Sequence, residues 1–491
     1  MKVLFASLCL LLSACAQPRS ADVAIRGAMV VDVASGALVP DQTLLIAGNR
    51  IAALGPVEEL RIPPEADVVD AAGGYLIPGL WDMHVHSVAN IAVDMDVASI
   101  AAMDWHFPLF LAHGVTGVRN MNDGTGDVTL ELTNSVKRRL AEGELLGPRL
   151  LANGPSLDGD PPLPANPVDV RTAAEARAAV DRLADAGADF VKVYENLPRE
   201  AYFAVMQEAR RRGLPVDGHV PFRVTPEEAA GAGQRTVEHP EGLAAGCSNA
   251  AEAERERFDR ILYEYDRLPD DEKFLAQFRY YRGLYDSWNP AACTSMIAAY
   301  RRYGVALAAD LVTYHHIVHA EQVLSDTVSM RLVPHAIRRN WEAVLDSETT
   351  RKLQSILRPI VPVQAEQVRL FNEAGGTLLA ATDVGVPWQV PGISLHEQLA
   401  LLVEAGLTPL EALGAATLNP ARVLGLADSL GTVEEGKLAD VVLLEANPLE
   451  DITNTRRIRA VVANGRLYRR ADLDGLLANV EALNQPPGNR E

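Results

Sequence analysis

The stretch YLIPGLWDMHVH (75–86) is an apolar run of strand length that closes on two histidines, His84 and His86, spaced two apart. Side chains alternate along a strand, so both imidazoles fall on one face at its C-terminal end. Neutral imidazole at that spacing is a common donor to zinc. Taken alone, such a pair is equally a pair of hydrogen-bonded core or surface histidines, so its meaning depends on the rest of the chain.

Seven further strand candidates follow: GVTGVRNM (114–121), PRLLANG (148–154), ADFVKVY (188–194), PVDGHV (215–220), RTVEH (235–239), VALAADLVTY (305–314) and GTLLAATDVG (376–385). Amphipathic helical stretches such as 172–187 and 199–213 separate them, with Gly187 and Gly213 placed as C-terminal stops. Eight alternating units predict an α/β fold, a closed (β/α)8 TIM barrel with its active site at the C-terminal ends of the strands. The alternative, an open doubly wound sheet, lacks the Gly-rich loop expected after its first strand.

The polar residues ending these strands carry the chemistry. His219 ends the fifth, His239 the sixth and Asp383 the eighth, so four of eleven histidines and one carboxylate gather at the same end. Lys192 lies inside FVKVY and is one of only six lysines in the chain. A lysine on the inner face of a parallel strand is costly unless paired or neutral. Two readings follow for it. A neutral amine can take up carbon dioxide as a carbamate that bridges two metals, or the lysine pairs with Asp383 or another acid. Tyr194, Arg119, Tyr314, His315 and His316 lie near strand ends and are candidates to bind a substrate carboxylate or carbonyl, or else core residues. His106, His113, His319, His335 and His396 read as helix or loop histidines without an assigned role.

β-Rich flanks bracket this middle. VAIRGAMVVD (23–32) and QTLLIAGNRIAALG (42–55) precede it, and GTVEEGKLADVVLLE (431–445) and RAVVANGRLYR (459–469) follow it. Gly48-Asn49 and Asn464-Gly465 are hairpin signals. Together the flanks predict one small β domain built from both ends of the chain. Helical intervals at 240–304 and 317–375 are too long for ordinary connections; they either cover the site or pack on the barrel or a second copy. The run EAERERFDR (252–260) reads as a solvated helix face.

MKVLFASLCLLLSA (1–14) has the charge and apolar core of a signal peptide, and Cys15 after Leu-Ser-Ala resembles a bacterial lipobox. The expectation is an exported envelope lipoprotein lipidated on Cys15, facing the periplasm, with Ala16 favouring the outer membrane; a plain secretory signal is the alternative. The domains expected are a signal peptide (1–14), a linker (15–22), the first part of the β domain (23–74), the barrel with its insertions (75–427), the second part of the β domain (428–475) and a tail (476–491). Forty-five Lys and Arg against 65 Asp and Glu give a net charge of −20, which argues against nucleic acid as a partner. Four cysteines in 491 residues exclude a disulfide-built scaffold, and sequence does not decide whether Cys247 and Cys293 pair.

PGLWDMHVH followed in order by Lys192, His219, His239 and Asp383 resembles the amidohydrolase superfamily with a binuclear metal centre. LTPLEALGAATLNPARVLGL with GTVEEGKLADVVLLE is similar to the C-terminal signature of its imidazolonepropionase- and prolidase-like branch. The resemblance covers about residues 23–470. It implies a composite β-sandwich beside the barrel. It also implies His84, His86 and Asp383 on one divalent metal, His219 and His239 on a second, carbamylated Lys192 between them, and Asp383 as proton shuttle. Zinc is the favoured metal. The implied activity is hydrolysis of an amide or dipeptide bond in a small-molecule substrate. A lactonase or phosphotriesterase on the same centre and a non-catalytic envelope binding protein are the competing readings. The membrane would be met only through the N-terminal lipid, and a homo-oligomer is compatible with the sequence. Asn120 and the string AADLVTYHH depart from the branch's usual residues and bear on substrate rather than on the metal set.

Overall fold

The computed structural model describes residues 21–87, 98–121, 127–161 and 168–483. The expected signal peptide, Cys15 and the end of the expected tail lie outside these residues. In chain order the strands are Val23–Val31 (β1), Leu38–Ala47 (β2), Arg50–Pro56 (β3), Asp67–Asp70 (β4), Tyr75–Pro78 (β5), Leu80–Val85 (β6), Val115–Asn120 (β7), Arg149–Ala152 (β8) and Leu157–Asp158 (β9). They continue with Val168–Asp169 (β10), Val191–Val193 (β11), Val216–Gly218 (β12), Thr236–Glu238 (β13), Ala306–Ala309 (β14), Thr377–Ala380 (β15), Val441–Leu444 (β16), Ile458–Ala463 (β17) and Arg466–Arg469 (β18).

The two flanks do combine, in an eight-stranded sheet ordered β18-β17-β16-β5-β1-β2-β3 with β4 paired to β1. Both hairpin signals hold: β2 turns into β3 at Gly48-Asn49, and β17 into β18 at Asn464-Gly465, whose φ angles of 49° and 79° fit a turn left-handed at both central residues. Hydrogen bonds join all eight strands into one connected sheet. β1 makes this possible by changing partner midway. Its first half pairs with β4, Met29 and Val30 pair with β5, and the break falls around Gly27, whose φ is 71°. Ile25, Leu44, Leu76, Val441 and Leu443 form the core on this sheet.

The opening stretch divides in two. Tyr75–Pro78 pairs with β1 and β16 in the flank sheet, whereas Leu80–Val85 pairs in parallel with β7. Gly79 is the switch. Its N–H donates to Asp440 O at 2.8 Å, and a Cβ there would stand 2.0 Å from Thr116 Oγ1. Only glycine lets the chain pass from one sheet to the other this closely.

The parallel strands form a three-stranded sheet, β6-β7-β8, and a seven-stranded sheet, β10-β9-β11-β12-β13-β14-β15. Hydrogen bonds link the two in two places, between β6 and the residues after β15 and between β8 and the residues before β11. Asp383 N–H donates to His84 O at 2.8 Å and His86 N–H to Val384 O at 2.6 Å, while Asp189 N–H donates to Ala152 O at 2.9 Å. The strand expected over 305–314 stops at Ala309, and Leu311–Val318 is helical. Residues 470–483, expected to end the β domain and begin a tail, form a helix that packs on Ala98–Ala112 and buries Leu473 and Val480.

Both long intervals are helical, as expected. The first contains Ala251–Tyr263, Asp270–Asp286 and Cys293–Tyr303, and a Cys247–Cys293 disulfide ties its ends together. With the second it builds its own apolar core around Phe258, Tyr280, Leu284, Tyr314 and Trp341.

Candidate metal centre

All six residues singled out for metal chemistry line one cavity of about 450 Å3. His84 is on β6 with His86 just beyond it, Lys192 is on β11, His219 and His239 immediately follow β12 and β13, and Asp383 follows β15. Gly218 lets β12 approach β11, since a Cβ there would sit 2.2 Å from Val193 O. His239 and Asp383 have φ angles of 62° and 55°. Such left-handed backbone costs roughly 1–3 kcal/mol at a non-glycine residue and concentrates where a side chain must be aimed.

The imidazoles share a pattern. His84 Nδ1 lies 2.9 Å from Glu238 Oε2, His219 Nδ1 lies 2.8 Å from Glu195 Oε1, and His239 Nδ1 lies 2.8 Å from Asp310 Oδ2. A carboxylate behind Nδ1 fixes the ring and leaves Nε2 as the free donor, the usual support of a metal-binding histidine. In front, His84 Nε2 stands 3.3 Å from His86 Nε2, and Asp383 Oδ1 lies 3.4 Å and 3.0 Å from these two nitrogens. His219 Nε2 is buried without a hydrogen-bond partner. His84 Nε2, with Nδ1 braced by Glu238, and Asp383 Oδ1 offer lone pairs beside His86 Nε2 and the orphaned His219 Nε2, an arrangement a cation can complete. The donor set therefore fits divalent metal. Two groups of side chains come within 4.8 Å: His84, His86 and Asp383, and His239, Asp310 and Asp383. Asp310 already accepts from His239 and from Thr313 Oγ1 at 2.8 Å, which places it behind the ring.

Burial holds His84 and His219 well below the ordinary histidine range, helped by Lys192 beside His84 and by His239 beside His219. Both rings are thus neutral and able to donate a lone pair. Burial works against charge on Asp383, but the His84 and His86 imidazoles outweigh it and keep the carboxyl well below its usual range. Lys192 is 1% exposed, and burial lowers its amine to about 8. Its Nζ lies 5.6 Å from the centre of the Tyr194 ring, and among the described residues no ion pair joins it to Asp383 or any other acid. Of the two readings for Lys192, the structure therefore lacks the simple ion pair.

The expected substrate contacts separate. Tyr194 and Tyr314 line the cavity; Arg119, His315 and His316 do not. Arg119 is completely buried beneath the site, where it donates to Asp217 at 2.9 Å, to both oxygens of Glu238 at 2.8 Å and to Met83 O at 2.7 Å. Its role is to hold the carboxylate that holds His84. Since the chain turns helical after Asp310, His315 and His316 sit on a helix rather than at a strand end. His315 stacks on His319, and His316 Nδ1 lies 3.0 Å from Trp388 O.

Sequence reasoning missed Glu195, Glu238 and Asp310 as the supports of the imidazoles, although Glu195 and Glu238 adjoin Tyr194 and His239, which it did single out, and Asp310 directly follows β14. It also missed Tyr281, whose hydroxyl donates to the same Glu195 oxygen that faces His219. Tyr281 belongs to the helix Asp270–Asp286, so the inserted segment covers the cavity and also braces one of its histidines. That helix contributes Phe274, Gln277, Phe278, Tyr280 and Leu284 to the lining as well.

The sequence profile of the amidohydrolase family matches residues 75–468. An adenine deaminase of Moorella thermoacetica is 24% identical over 426 residues, which is 87% of this chain and 54% of the relative. An imidazolonepropionase of Thermoplasma volcanium is 26% identical over 218 residues, covering 40% of this chain and 51% of the relative. The chain thus spans about half the length of these two curated relatives. A crystal structure of a Xaa-Pro dipeptidase with methionine in its active site superposes with a TM-score of 0.65 at 21% identity, over 91% of this chain and 99% of the other, a likeness of fold.

Proposed function

The chain belongs to the amidohydrolase family, and from that premise we propose that it hydrolyses a carbon–nitrogen bond, an amide or dipeptide linkage, at a centre of two divalent cations, with zinc favoured. One observation carries this reading: three carboxylate-braced imidazoles, His86 and the Asp383 carboxylate converge in a single cavity. The same reading takes β6, β7, β8 and β11 to β15 as the eight strands of one (β/α)8 barrel. The hydrogen bonds from β6 to the residues after β15 and from β8 to those before β11 support it.

His84, His86 and Asp383 would hold one cation, and His219 and His239 the other. Lys192, joined to carbon dioxide as a carbamate with loss of a proton, would bridge them. The buried amine, free of any acid partner among the described residues, supports this form. When bound, two divalent ions supply acidified water and a polarised carbonyl. Asp383 takes the water proton and returns it to the leaving nitrogen, which cannot depart as an amide anion. Glu238, Glu195 and Asp310 keep the imidazoles oriented throughout. The helix Asp270–Asp286 restricts bulk water above the site, which strengthens every charge interaction below it.

Metal-loaded protein assayed on parallel panels of amides, lactones and phosphotriesters tests this. The expected result is that amides, and particularly those with poor leaving amines, are turned over fastest. Lactone or phosphotriester turnover exceeding that of every amide would contradict the C–N assignment.

A further inference from the structure

The charge of the cavity and its unpaired atoms bear on what it accepts. Among the described residues, four carboxyl groups line it, Glu195, Glu238, Glu241 and Asp383, no arginine does, and Lys192 is the only lysine. The three internal stretches outside the described residues, 88–97, 122–126 and 162–167, contain no Lys or Arg in sequence. Arg119 is held away from the cavity by Asp217 and Glu238. A carboxylate beside the scissile bond, as in a dipeptide or an N-acyl amino acid, would thus meet no guanidinium among the described residues.

The free acceptors are of the opposite kind. Glu241 is 8% exposed, and its Oε2 is buried without a partner although Tyr314 hydrogen-bonds the same carboxyl. Gln277 Oε1 is likewise buried and unpartnered. The short helix Glu241–Ala244 packs on Asp270–Asp286, the helix that carries Gln277, so both residues belong to the roofed part of the cavity. Rings of Tyr280, Tyr281 and Phe278 complete that roof. A buried carboxyl oxygen left unpaired is costly, so it favours an incoming donor. Aromatic walls favour that donor when it is a cation.

We propose that the roofed part of the cavity receives a protonated amine of the substrate, with Glu241 accepting its N–H and the aromatic roof packing on an apolar stem. The preferred substrates are then cationic amides with an apolar body, neutral amides come next, and carboxylate-bearing amides are disfavoured. This rests on the hydrolytic reading of the same cavity, yet binding and turnover test the two separately.

In the binding arm, 4-phenylbutylamine and its uncharged isostere 4-phenylbutanol are titrated calorimetrically into metal-loaded protein. The amine is expected to bind about tenfold more tightly. Glu241→Gln should bring that ratio close to one. Gln277→Glu, which adds an acceptor charge, should raise the ratio and keeps the test available if Glu241→Gln fails to fold. In the turnover arm, phenylacetyl amides of glycine, glycinamide and ethylenediamine place a negative, a neutral and a positive group beside the bond, and kcat/KM should rise in that order. Equal affinity for amine and alcohol, a ratio unmoved by both variants, or fastest turnover of the glycine amide would overturn the proposal. If none of the amides is hydrolysed but the amine preference and its response to the variants hold, the cavity assignment stands and the hydrolytic reading falls.

Discussion

Asp383→Asn is expected to lower amide hydrolysis about a thousandfold, within the range set by loss of a general acid–base group, while metal content stays close to that of the parent. The substitution keeps the side chain's size and one oxygen donor but removes its ability to take and return a proton. It also suits the backbone. Asp383 has a φ of 55°, and asparagine tolerates that left-handed conformation as readily as aspartate does. The hydrogen bonds from Asp383 N–H to His84 O and from Val386 N–H to Asp383 O involve only the main chain and persist. A folded variant with bound metal and little turnover is therefore the specific signature of a shuttle. Hydrolysis within a fewfold of the parent would remove Asp383 from that role.

Lys192→Ala is expected to lower metal content and to reduce hydrolysis at least as far. Lys192 lies on β11, fully surrounded, so truncation empties a buried volume next to His84, His219 and Asp383 without touching an ion pair. If the side chain serves as a carbamate, a short carboxylic acid added to the variant should occupy that volume, replace the bridging oxygens and restore part of both metal binding and activity. Recovery should decline as the acid grows too large for the gap. Unchanged activity in Lys192→Ala, or a metal-loaded parent whose intact mass and crystal structure show a bare amine, would contradict the carbamate.

The residues that touch the candidate centre were readable in the sequence because strand geometry makes them so. His84, His86, His219, His239 and Asp383 each follow a short apolar run, and a period of two turns that position into a direction in space. The residues behind them were not readable in the same way. Glu238, Glu195 and Asp310 meet His84, His219 and His239 from other strands or across a strand-to-helix turn, so their partners are set by sheet order rather than by spacing along the chain. Arg119 shows the reverse error. It stands one residue from the end of β7, where a cation suggests a carboxylate-bearing substrate, yet its guanidinium is wholly engaged by Asp217 and Glu238 below the cavity. Gly79 marks a further limit. One apolar run of strand length can serve two sheets when a glycine within it allows close backbone passage, and periodicity does not reveal that break. The roof follows neither rule, because Tyr281 reaches Glu195 from a helix 86 positions along the chain.

The central claim is that this cavity is a binuclear hydrolytic centre, and metal stoichiometry measured together with turnover tests it most directly. The protein is analysed for bound metal, stripped with a chelator, and reloaded with increasing zinc while amide hydrolysis is followed. The account requires that hydrolysis vanish on stripping and return in proportion to zinc, reaching its plateau at about two ions per chain. Full hydrolysis by metal-free protein, or a plateau reached with no metal retained, would contradict it.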